Sequence, residues 1–345
     1  MRKFTKLFLS IVIGLLLITP INLLAKEKYV IGIYCHTFQP PWLILQNAAR
    51  MRAAEISKEY GVDLSVDIQA PPTHVDIIRQ MNIIDDFMAK KVDMLVAIPV
   101  TTQSFESVIR KANVANIPIG LFITDQEPPV GANVEWWLYN DDVNGGIQVG
   151  EALARELNYE GNVLLMHGVY ESRWNNFRAQ GIRTALNKYG IHILDEQAAD
   201  WDREKGMRQM EDWIVRFGEK IDALAALNGE MALGAYGAMK ASGLDFIITG
   251  WDGSVPEAEA ILDHRLAYSV DMHWAEYGVQ MVDLAWLTLQ GKEVKPKRNI
   301  LKTSLINKKY AKMLLKRTAL VKNNQKPEDW DTFGLEYYKK NVLNK

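Results

Sequence analysis

The sequence predicts an α/β protein made of two similar doubly wound parallel-sheet lobes, which are joined by a hinge that the chain crosses several times. Short apolar runs alternate with helix-length segments, as in parallel sheets flanked by helices. The alternation forms two consecutive series with no Pro/Gly/Ser-rich linker between them. With 345 residues, 48% of them hydrophobic, the chain can bury a large core, and its size fits two lobes better than one.

The first series begins directly after the N-terminal segment. Its helical segments are Ala48–Tyr60 and Asp76–Lys90, which separate short runs with the length of buried strands. The predicted strands are Tyr29–Tyr34, Leu64–Ile68, Met94–Ile98, Ile117–Ile123 and Val134–Leu138.

The second series repeats this alternation but shows no sequence similarity that would indicate duplication. A helical pattern, Glu276–Leu289, follows it, and a basic tail then ends in an aromatic cluster of Trp330, Phe333, Tyr337 and Tyr338. The predicted strands of this series are Asn162–Met166, Ile191–Leu194, Ala223–Ala226, Phe246–Ile248 and Leu266–Val270.

These elements predict the division of the chain. We expect a signal peptide at residues 1–25, an N-terminal lobe from 26–139 plus 272–298, and a C-terminal lobe with its tail from 140–271 plus 299–345. The chain would cross between the lobes near Leu138–Asp142, near Val270–Trp274 and after Lys297.

The N-terminus is typical of a secretory signal peptide. Arg2, Lys3 and Lys6 precede a largely apolar run from Leu7 to Ile18, and Ala25 offers a small-residue cleavage context. The mature chain would then start near Lys26. A retained membrane anchor is the alternative, but the apolar run is shorter than a comfortable bilayer span.

Composition excludes some partners. The formal net charge is −2, and no block of like charges suggests a nucleic-acid surface. The single cysteine, Cys35, cannot form an internal disulfide and is most simply a small buried strand residue. It lies well beyond the apolar run, which disfavours lipid anchoring.

Two strand ends in the second series carry polar residues at a tip that a helix follows. Asn228 ends one apolar run and Asp252 follows the next. Ligands sit at the carboxyl ends of strands in open parallel sheets, so these residues become neighbouring candidates for one binding cleft. This order indicates a receptor for a small molecule.

Six short motifs, in this order, resemble the type I periplasmic binding proteins of the ribose and galactose class, over Tyr29 to Val294. The resemblance implies the periplasmic-binding-protein-like I fold, a periplasmic location and a sugar-like ligand between the lobes. It also implies delivery to the membrane permease of an ABC importer by a monomer. The motifs are Gly32–Tyr34, Ala115–Ile119, Asn140–Gly146, Ala199–Arg203, Asn228–Ala235 and Gly250–Gly253.

The resemblance also implies a binding site. Trp42 and Trp201 would be aromatic plates on opposite faces of a sugar, while amide, guanidinium and carboxylate groups would bond its hydroxyls. Because the loop before Arg178 is uncertain in register, both Asn176 and Arg178 are candidates. The expected ligand-binding residues are Gln39, Trp42, Thr101, Asp125, Asn176, Arg178, Trp201, Asn228, Asp252 and Met272.

Departures from the family pattern argue against ribose itself. The third strand tip has Thr101 where ribose receptors carry an acid, and the fourth ends at Asp125 without their Asp-Arg pair. The hinge tip Asp271–Trp274 replaces the usual Gln with a bulkier, more aromatic set. The pocket would be smaller, more aromatic or differently charged. Trp251 and the basic tail also resemble the sensory relatives that bind autoinducer-2 or trimethylamine oxide and engage a histidine kinase, where an aromatic box favours a cation.

Structural roles remain open for several of these residues. Trp42, Trp137, Trp174 and Trp274 could each be core or lobe-interface aromatics. Asp252 could cap the following helix, and Arg178 could be a solvated helix residue. Asp141 and Asp142 are expected to shape the crossing between lobes instead of touching ligand.

An enzyme or a repressor fits the sequence less well. The six histidines are scattered without metal-ligand spacing, and there is no phosphate loop, dinucleotide fingerprint or nucleophile elbow. A repressor on this core would need a DNA-reading helix-turn-helix before the first strand, where the signal peptide lies. We therefore expect no catalytic activity, no metal or cofactor and no nucleic-acid partner.

Overall fold

A computed structural model describes residues 26–73, 76–98 and 101–330. The predicted signal peptide and the aromatic residues Phe333, Tyr337 and Tyr338 lie outside the described residues. The strands are β1 Lys28–Tyr34, β2 Asp63–Gln69, β3 Met94–Ala97, β4 Ile119–Phe122, β5 Trp136–Asn140, β6 Asn162–His167, β7 His192–Ala198, β8 Ala223–Ala226, β9 Ile247–Thr249, β10 Ser269–Asp271, β11 Arg298–Leu301 and β12 Ser304–Ile306. The helices are α1 Pro40–Tyr60, α2 Ile77–Lys90, α3 Thr102–Val114, α4 Asp142–Glu156, α5 Arg173–Lys188, α6 Arg203–Phe217, α7 Gly229–Ser242, α8 Val255–Leu262, α9 Trp274–Leu289 and α10 Lys308–Lys322.

The first lobe is built on a six-stranded parallel sheet in the order β11-β5-β4-β3-β1-β2. Its central strands β3 and β4 are buried along their whole length, as expected where helices cover both faces of a parallel sheet. Helices α1 and α9 pack against each other in this lobe. Helix α1 begins at Pro40, earlier than the predicted Ala48. Proline is tolerated at the start of a helix because the N–H that it lacks would have no partner in the first turn.

The second lobe contains a four-stranded parallel sheet in the order β7-β6-β8-β9. Strand β10 adjoins β9 through two isolated parallel bridges, one of them between Asp252 and Asp271, and β12 pairs antiparallel with β10. Helices α4 and α5 approach closely at Gly146, where a Cβ atom would lie 2.3 Å from the carbonyl oxygen of Arg178. Gly146 of the Asn140–Gly146 motif therefore serves this close packing, whereas Gly145 leaves room for the Trp251 ring, which would lie 2.7 Å from an added Cβ atom.

The chain crosses between the lobes at three places. It leaves β5 for α4 at residues 140–142, leaves β10 for α9 at 271–274, and leaves β11 for β12 at 301–304. The last crossing lies later than Lys297, because β11 pairs with β5 as far as Leu301 opposite Asn140. Residues 299–301, which we predicted to belong to the C-terminal lobe, thus lie in the first sheet.

The tail contacts both lobes. Helix α10 packs against α8 of the second lobe and against α1 of the first. Beyond it, the buried Trp330 donates a hydrogen bond from Nε1 to Glu55 Oε2 on α1 at 3.2 Å. Assigning residues 299–345 to the C-terminal lobe alone therefore misses these contacts with the first lobe.

The predicted fold class is confirmed, with parallel sheets, flanking helices and the two-lobed arrangement. In the described part of the chain, no helix is both long enough and apolar enough to span a bilayer.

Candidate functional site

The carboxyl ends of strands from both sheets face a cavity of about 390 Å³ between the lobes, a volume that includes the part open to solvent. Residues of both lobes and of the β10–α9 crossing line it. They are His36, Gln39, Trp42, Ile98, Ile123, Trp174, Arg178, Trp201, Asn228, Asp252, Met272 and Trp274.

Aromatic rings from both lobes form one wall of the cavity. The ring centroids of Trp42 and Trp274 are 4.9 Å apart. His36 lies 5.7 Å from Trp42 and 5.5 Å from Trp174 of the second lobe. The indole Nε1 of Trp274 donates to the carbonyl oxygen of Asp252 at 2.6 Å, which ties this wall to the second lobe.

Trp201 is held in place by its backbone and by an adjacent glycine. Its φ of 62° lies in the left-handed region, an uncommon conformation for a bulky residue. A Cβ atom at Gly168 would lie 2.0 Å from the Trp201 ring, so only glycine leaves room for the indole. Asn228 Nδ2 donates to the Trp201 carbonyl oxygen at 3.2 Å. The ring therefore has a defined position in the cavity wall.

Arg178 is buried at the side of the cavity that belongs to the second lobe. Its Nε donates to Asp142 Oδ1 at 3.2 Å, and its Nη1 donates to the Leu227 carbonyl oxygen at 2.8 Å. The guanidinium lies over the Trp251 ring at 4.7 Å, which favours the cation. Burial raises the pKa of Asp142 to about 6, although the nearby Arg178 opposes this shift. The solvated-helix alternative for Arg178 is thus wrong.

Asp252 completes this polar side. Its Oδ1 lies 3.7 Å from Arg178 Nη1, and the backbone N–H of Gly229 also bonds its carboxylate. Burial raises the pKa of Asp252, and the charge of Arg178 opposes the shift. Ser254, not Asp252, caps α8, in a capping box with Glu257. The alternative role of Asp252 as a helix cap is therefore wrong, and its side chain faces the cavity.

Asn228 has a structural role as well as a place in the cavity lining. It is the N-cap of α7, where its Oδ1 accepts a hydrogen bond from the Met231 backbone N–H at 2.9 Å. Its amide therefore both ends β8 and starts the next helix. This dual use explains why a polar residue at a strand tip is followed immediately by a helix.

Sequence reasoning missed a fully buried carboxyl group behind Asp252. Glu257 Oε1 accepts a hydrogen bond from Ser269 Oγ at 2.6 Å, and its Oε2 accepts from the Ser254 backbone N–H at 2.9 Å. A Cβ atom at Gly229 would lie 2.1 Å from Glu257 Cδ, so the glycine leaves room for the carboxyl group. Burial and the nearby Asp252 raise the pKa of Glu257.

Comparison with known proteins identifies the family. Residues 31–293 match the periplasmic binding protein domain. The chain belongs to this family. The predicted resemblance to type I periplasmic binding proteins is thereby confirmed.

Relatives and solved structures agree with this assignment. The chain is 26% identical over 298 residues to the ribose import binding protein RbsB of Haemophilus influenzae, which covers 86% of this chain and 97% of that one. It is 30% identical over 181 residues to the xylitol-binding protein of Mycolicibacterium smegmatis, about half of each protein. Among solved structures, the fructose-binding periplasmic domain of a hybrid two-component system has a TM-score of 0.75 at 25% identity and covers 88% of this chain and 98% of that one. An ABC transporter solute-binding protein from Bacillus halodurans with bound myo-inositol has a TM-score of 0.73 at 25% identity, covering 84% of this chain and 97% of that one.

The structure brings seven of the ten predicted site residues of this periplasmic binding protein to the cavity. They are Gln39, Trp42, Arg178, Trp201, Asn228, Asp252 and Met272. The cavity also places Trp174 and Trp274 in its lining, two residues that sequence reasoning left open as core aromatics. That these residues bind ligand stays a prediction.

Three predicted residues lie elsewhere in this periplasmic binding protein. Thr101 caps α3 by accepting a hydrogen bond from the Ser104 backbone N–H. Asp125 pairs with Arg173 across the lobes, beside a neighbouring cavity. Asn176 lies on a different side of α5 from Arg178, which reaches the cavity. Its amide donates to the Tyr170 carbonyl oxygen at 3.1 Å instead. Their hydrogen-bonding groups therefore stabilise local structure or the contact between lobes.

Three lining residues were not predicted, although each lies within two residues of a strand end. His36 follows β1, Ile98 follows β3 and Ile123 follows β4. Their positions at the carboxyl ends of parallel strands could have identified them. Ile98 and Ile123 were overlooked because apolar side chains do not stand out in a search for polar ligand contacts. In the described part of the chain, no group of three or more His, Cys, Asp or Glu residues could hold a metal ion.

Proposed function

We propose that this protein is a periplasmic solute receptor that captures a small sugar-like molecule between its lobes and presents it to the permease of an ABC importer. One observation carries the proposal. The pair formed by the buried Arg178 and the partly buried Asp252 meets an aromatic wall from both lobes at the carboxyl ends of the strands.

This arrangement matches the chemistry of a sugar. The faces of a sugar ring present C–H groups, which pack against indole rings such as Trp42 and Trp201. Its edges present hydroxyl groups, and a carboxylate such as Asp252 accepts two of them at once. The import function of relatives such as the ribose import binding protein supports the same role here.

Ligand binding would shift a hinge equilibrium. The cavity takes its lining from both lobes and from the crossing at Met272, so a solute makes its full contacts only when the lobes are closed. Such differential contacts move the population toward the closed form. A membrane partner would then recognise surfaces that closure brings together.

Export by a cleaved signal peptide places the receptor in the periplasm. The membership in the periplasmic binding protein family and the leader pattern of residues 1–25 support this location. We further propose that the protein acts as a monomer, without catalysis, cofactor or nucleic-acid partner. N-terminal sequencing of the exported protein should give a start near Lys26, whereas a chain that retains Met1 would indicate an anchor.

Sensing is the second candidate function, with a membrane histidine kinase as the partner. The similarity to the fructose-binding periplasmic domain of a hybrid two-component system favours it. Permease and ATPase genes beside the gene for this chain would support transport, whereas a hybrid kinase gene would support sensing.

Thermal unfolding of the mature chain against a solute panel tests the receptor function. The panel contains pentoses, hexoses, polyols, nucleosides, furanosyl signals and methylated amines. A solute at about one hundred times its dissociation constant adds about 2.7 kcal/mol to the free energy of unfolding, a readily measured shift in midpoint. A response to one class identifies the ligand chemistry, and the absence of any response contradicts a solute receptor for these classes.

A further inference from the structure

The hydrogen-bonding groups in the cavity are distributed unevenly between the lobes. Arg178, Asn228 and Asp252 all belong to the second lobe. On the first lobe, the side chains that follow β3 and β4 in the lining are Ile98 and Ile123. His36 and Gln39, between β1 and α1, are polar side chains of the first lobe in the lining. A ligand between the lobes therefore meets polar atoms of the second lobe and of this β1–α1 segment, and two aliphatic side chains at the ends of β3 and β4.

Both isoleucines have fixed positions. Ile98 is buried, and its carbonyl oxygen pairs with His36 Nε2 at 2.9 Å. Ile123 has a φ of 56°, a conformation that is a genuine outlier for a β-branched residue. Its backbone N–H bonds the Leu138 carbonyl oxygen at 2.8 Å, so pairing with the next strand helps to hold this conformation. Strained residues of this kind cluster at ligand sites.

The nearest polar side chains of these strand ends are engaged elsewhere. Thr124, which directly follows Ile123, accepts a hydrogen bond at Oγ1 from the Gln126 backbone N–H at 3.3 Å. Thr101 and Ser104 bond each other in the cap of α3. Asp125 pairs with Arg173, and the loop after β4 is further tied to Arg298, which donates to the Asp125 carbonyl oxygen at 2.7 Å. Among the described residues at these two strand ends, the cavity lining is aliphatic.

We propose that the ligand is a small neutral ring that carries hydroxyl groups on one edge and an alkyl group in place of a hydroxyl where it meets Ile98 and Ile123, as in a deoxy sugar. This inference rests on the proposed function and defines the ligand class of the same site. A hydroxyl group placed against these isoleucines would lose its bonds to water without gaining a partner. A methyl or methylene group there gains contact with apolar surface instead.

The charges of the site argue against a cationic ligand despite its aromatic wall. The guanidinium of Arg178 lies beside the cavity, 3.2 Å from the Asp142 carboxylate and 3.7 Å from the Asp252 carboxylate, so a cationic ligand would compete with it for both acids. Burial also favours the neutral form of both acids, which further weakens their attraction for a cation. A neutral ligand can use the same carboxylate and guanidinium as hydrogen-bonding groups.

Titration calorimetry of the mature chain with pairs of sugars that differ by one oxygen tests the inference. The pairs are L-fucose and L-galactose, L-rhamnose and L-mannose, D-fucose and D-galactose, and 2-deoxy-D-ribose and D-ribose. For at least one pair, we expect the deoxy sugar to bind about 10- to 100-fold more tightly, the discrimination that an apolar pocket achieves against an added hydroxyl.

Variants locate the preference. Ile98→Thr and Ile123→Thr each add a hydroxyl while keeping a β-branched side chain, and we expect them to reduce the preference for the deoxy sugar by at least about fivefold. Ile84→Thr is the matched control, because Ile84 is equally buried but lies on α2 outside the cavity lining. It should lower stability without changing the preference.

Each remaining outcome is decisive. Equal or tighter binding of the oxygenated sugar in every pair that binds overturns the inference but leaves the receptor function intact. Binding of a methylated amine alone overturns the sugar-like ligand class and this inference with it. If circular dichroism confirms a folded protein and no sugar, polyol or other solute of the panel binds, both the proposed function and the inference fail.

Discussion

The guanidinium of Arg178 lies 3.7 Å from the carboxylate of Asp252 beside the cavity, where the Arg178 side chain is buried and the Asp252 side chain is partly buried. Arg178 also bonds Asp142 and the Leu227 carbonyl oxygen, so its position does not depend on Asp252. Asp252 can therefore be exchanged to test ligand binding while Arg178 keeps its other partners.

Replacing Asp252 with Ala should weaken ligand binding by about 1–3 kcal/mol, because the hydroxyl groups of a bound ligand lose their acceptor. Isothermal titration calorimetry with the solute identified in the panel measures this change. Asn176→Ala is the control, since Asn176 lies on the same lobe but outside the cavity lining. Normal affinity in the Asp252 variant would show that this cavity is not the binding site.

Replacing Asn228 with Ala should have two effects. Its amide caps α7, so the variant should lose about 1 kcal/mol in the free energy of unfolding. It should also bind ligand more weakly, because Asn228 lines the cavity. Denaturant unfolding without ligand measures the first effect. An Asp252→Ala variant should not show the loss of this cap, which separates the two residues.

The buried carboxyl group of Glu257 should make stability depend on pH. Its folded-state pKa is raised from 4.5, so the folded chain holds a proton that the unfolded chain releases. The stabilisation is fully present below the unfolded pKa and is lost as pH rises through the folded pKa, by up to about 1.4 kcal/mol per pH unit. Glu257→Gln should flatten this dependence and be relatively more stable than the parent at alkaline pH.

Urea unfolding at several pH values from about 4 to about 9 checks this expectation over the range in which the carboxyl group titrates. Glu259→Gln is the matched control, since Glu259 is exposed on the same helix. An unchanged pH dependence in the Glu257 variant would contradict a raised pKa for this group.

Gly168→Ala should displace the Trp201 indole, because the added Cβ atom would lie 2.0 Å from the ring. We expect ligand affinity to fall by about tenfold, since an aromatic stacking contact is worth about 0.5–1.5 kcal/mol beyond the area that it buries. Gly237→Ala on α7 is the control, since nothing lies within 4 Å of its added Cβ atom. That control should bind normally and gain up to about 1 kcal/mol in stability. Equal affinities of the two variants would exclude Trp201 from the binding surface.

Much of the fold could be predicted from the sequence, because most strands contain a short apolar run bounded by polar or glycine residues. Strands β11 and β12 were not predicted, since both are short, Arg298–Leu301 contains two polar residues, and they pair with the distant strands β5 and β10. The tail contact through Trp330 is equally non-local, as it joins residues that are far apart in the chain.

The candidate site was partly predictable for a similar reason. Asn228 and Asp252 stand at strand ends, where a positional rule applies. Thr101 and Asp125 also follow strands, but a local cap and an ion pair with Arg173 take their polar groups. Which partners they find depends on the phase of each helix and on how the lobes meet, and neither can be predicted from hydrophobic periodicity in the sequence. Glu257 was missed because a buried acid without a cation conflicts with the usual pattern for charged residues.

The ion pair of Asp125 and Arg173 joins the loop after β4 to the start of α5 and so connects the lobes directly. The side chains of Arg173 and Asp125 are 46% and 23% exposed, so solvent screens their attraction and limits it to about 0.5 kcal/mol. Asp125→Asn should therefore lower ligand affinity only about two- to threefold, by reducing the population of closed molecules. The effect should shrink at high ionic strength, where the parent pair is already screened.

Calorimetry at low and high salt measures this change, and small-angle scattering should show a larger radius of gyration for the ligand-free Asp125 variant. Lys188→Ala is the matched control, because Lys188 pairs with Glu151 at 3.3 Å within the second lobe alone. Breaking that pair should leave both affinity and radius unchanged. If the two variants behave alike, the contact between Asp125 and Arg173 does not influence closure, and the hinge equilibrium must be set by the crossings and by the ligand.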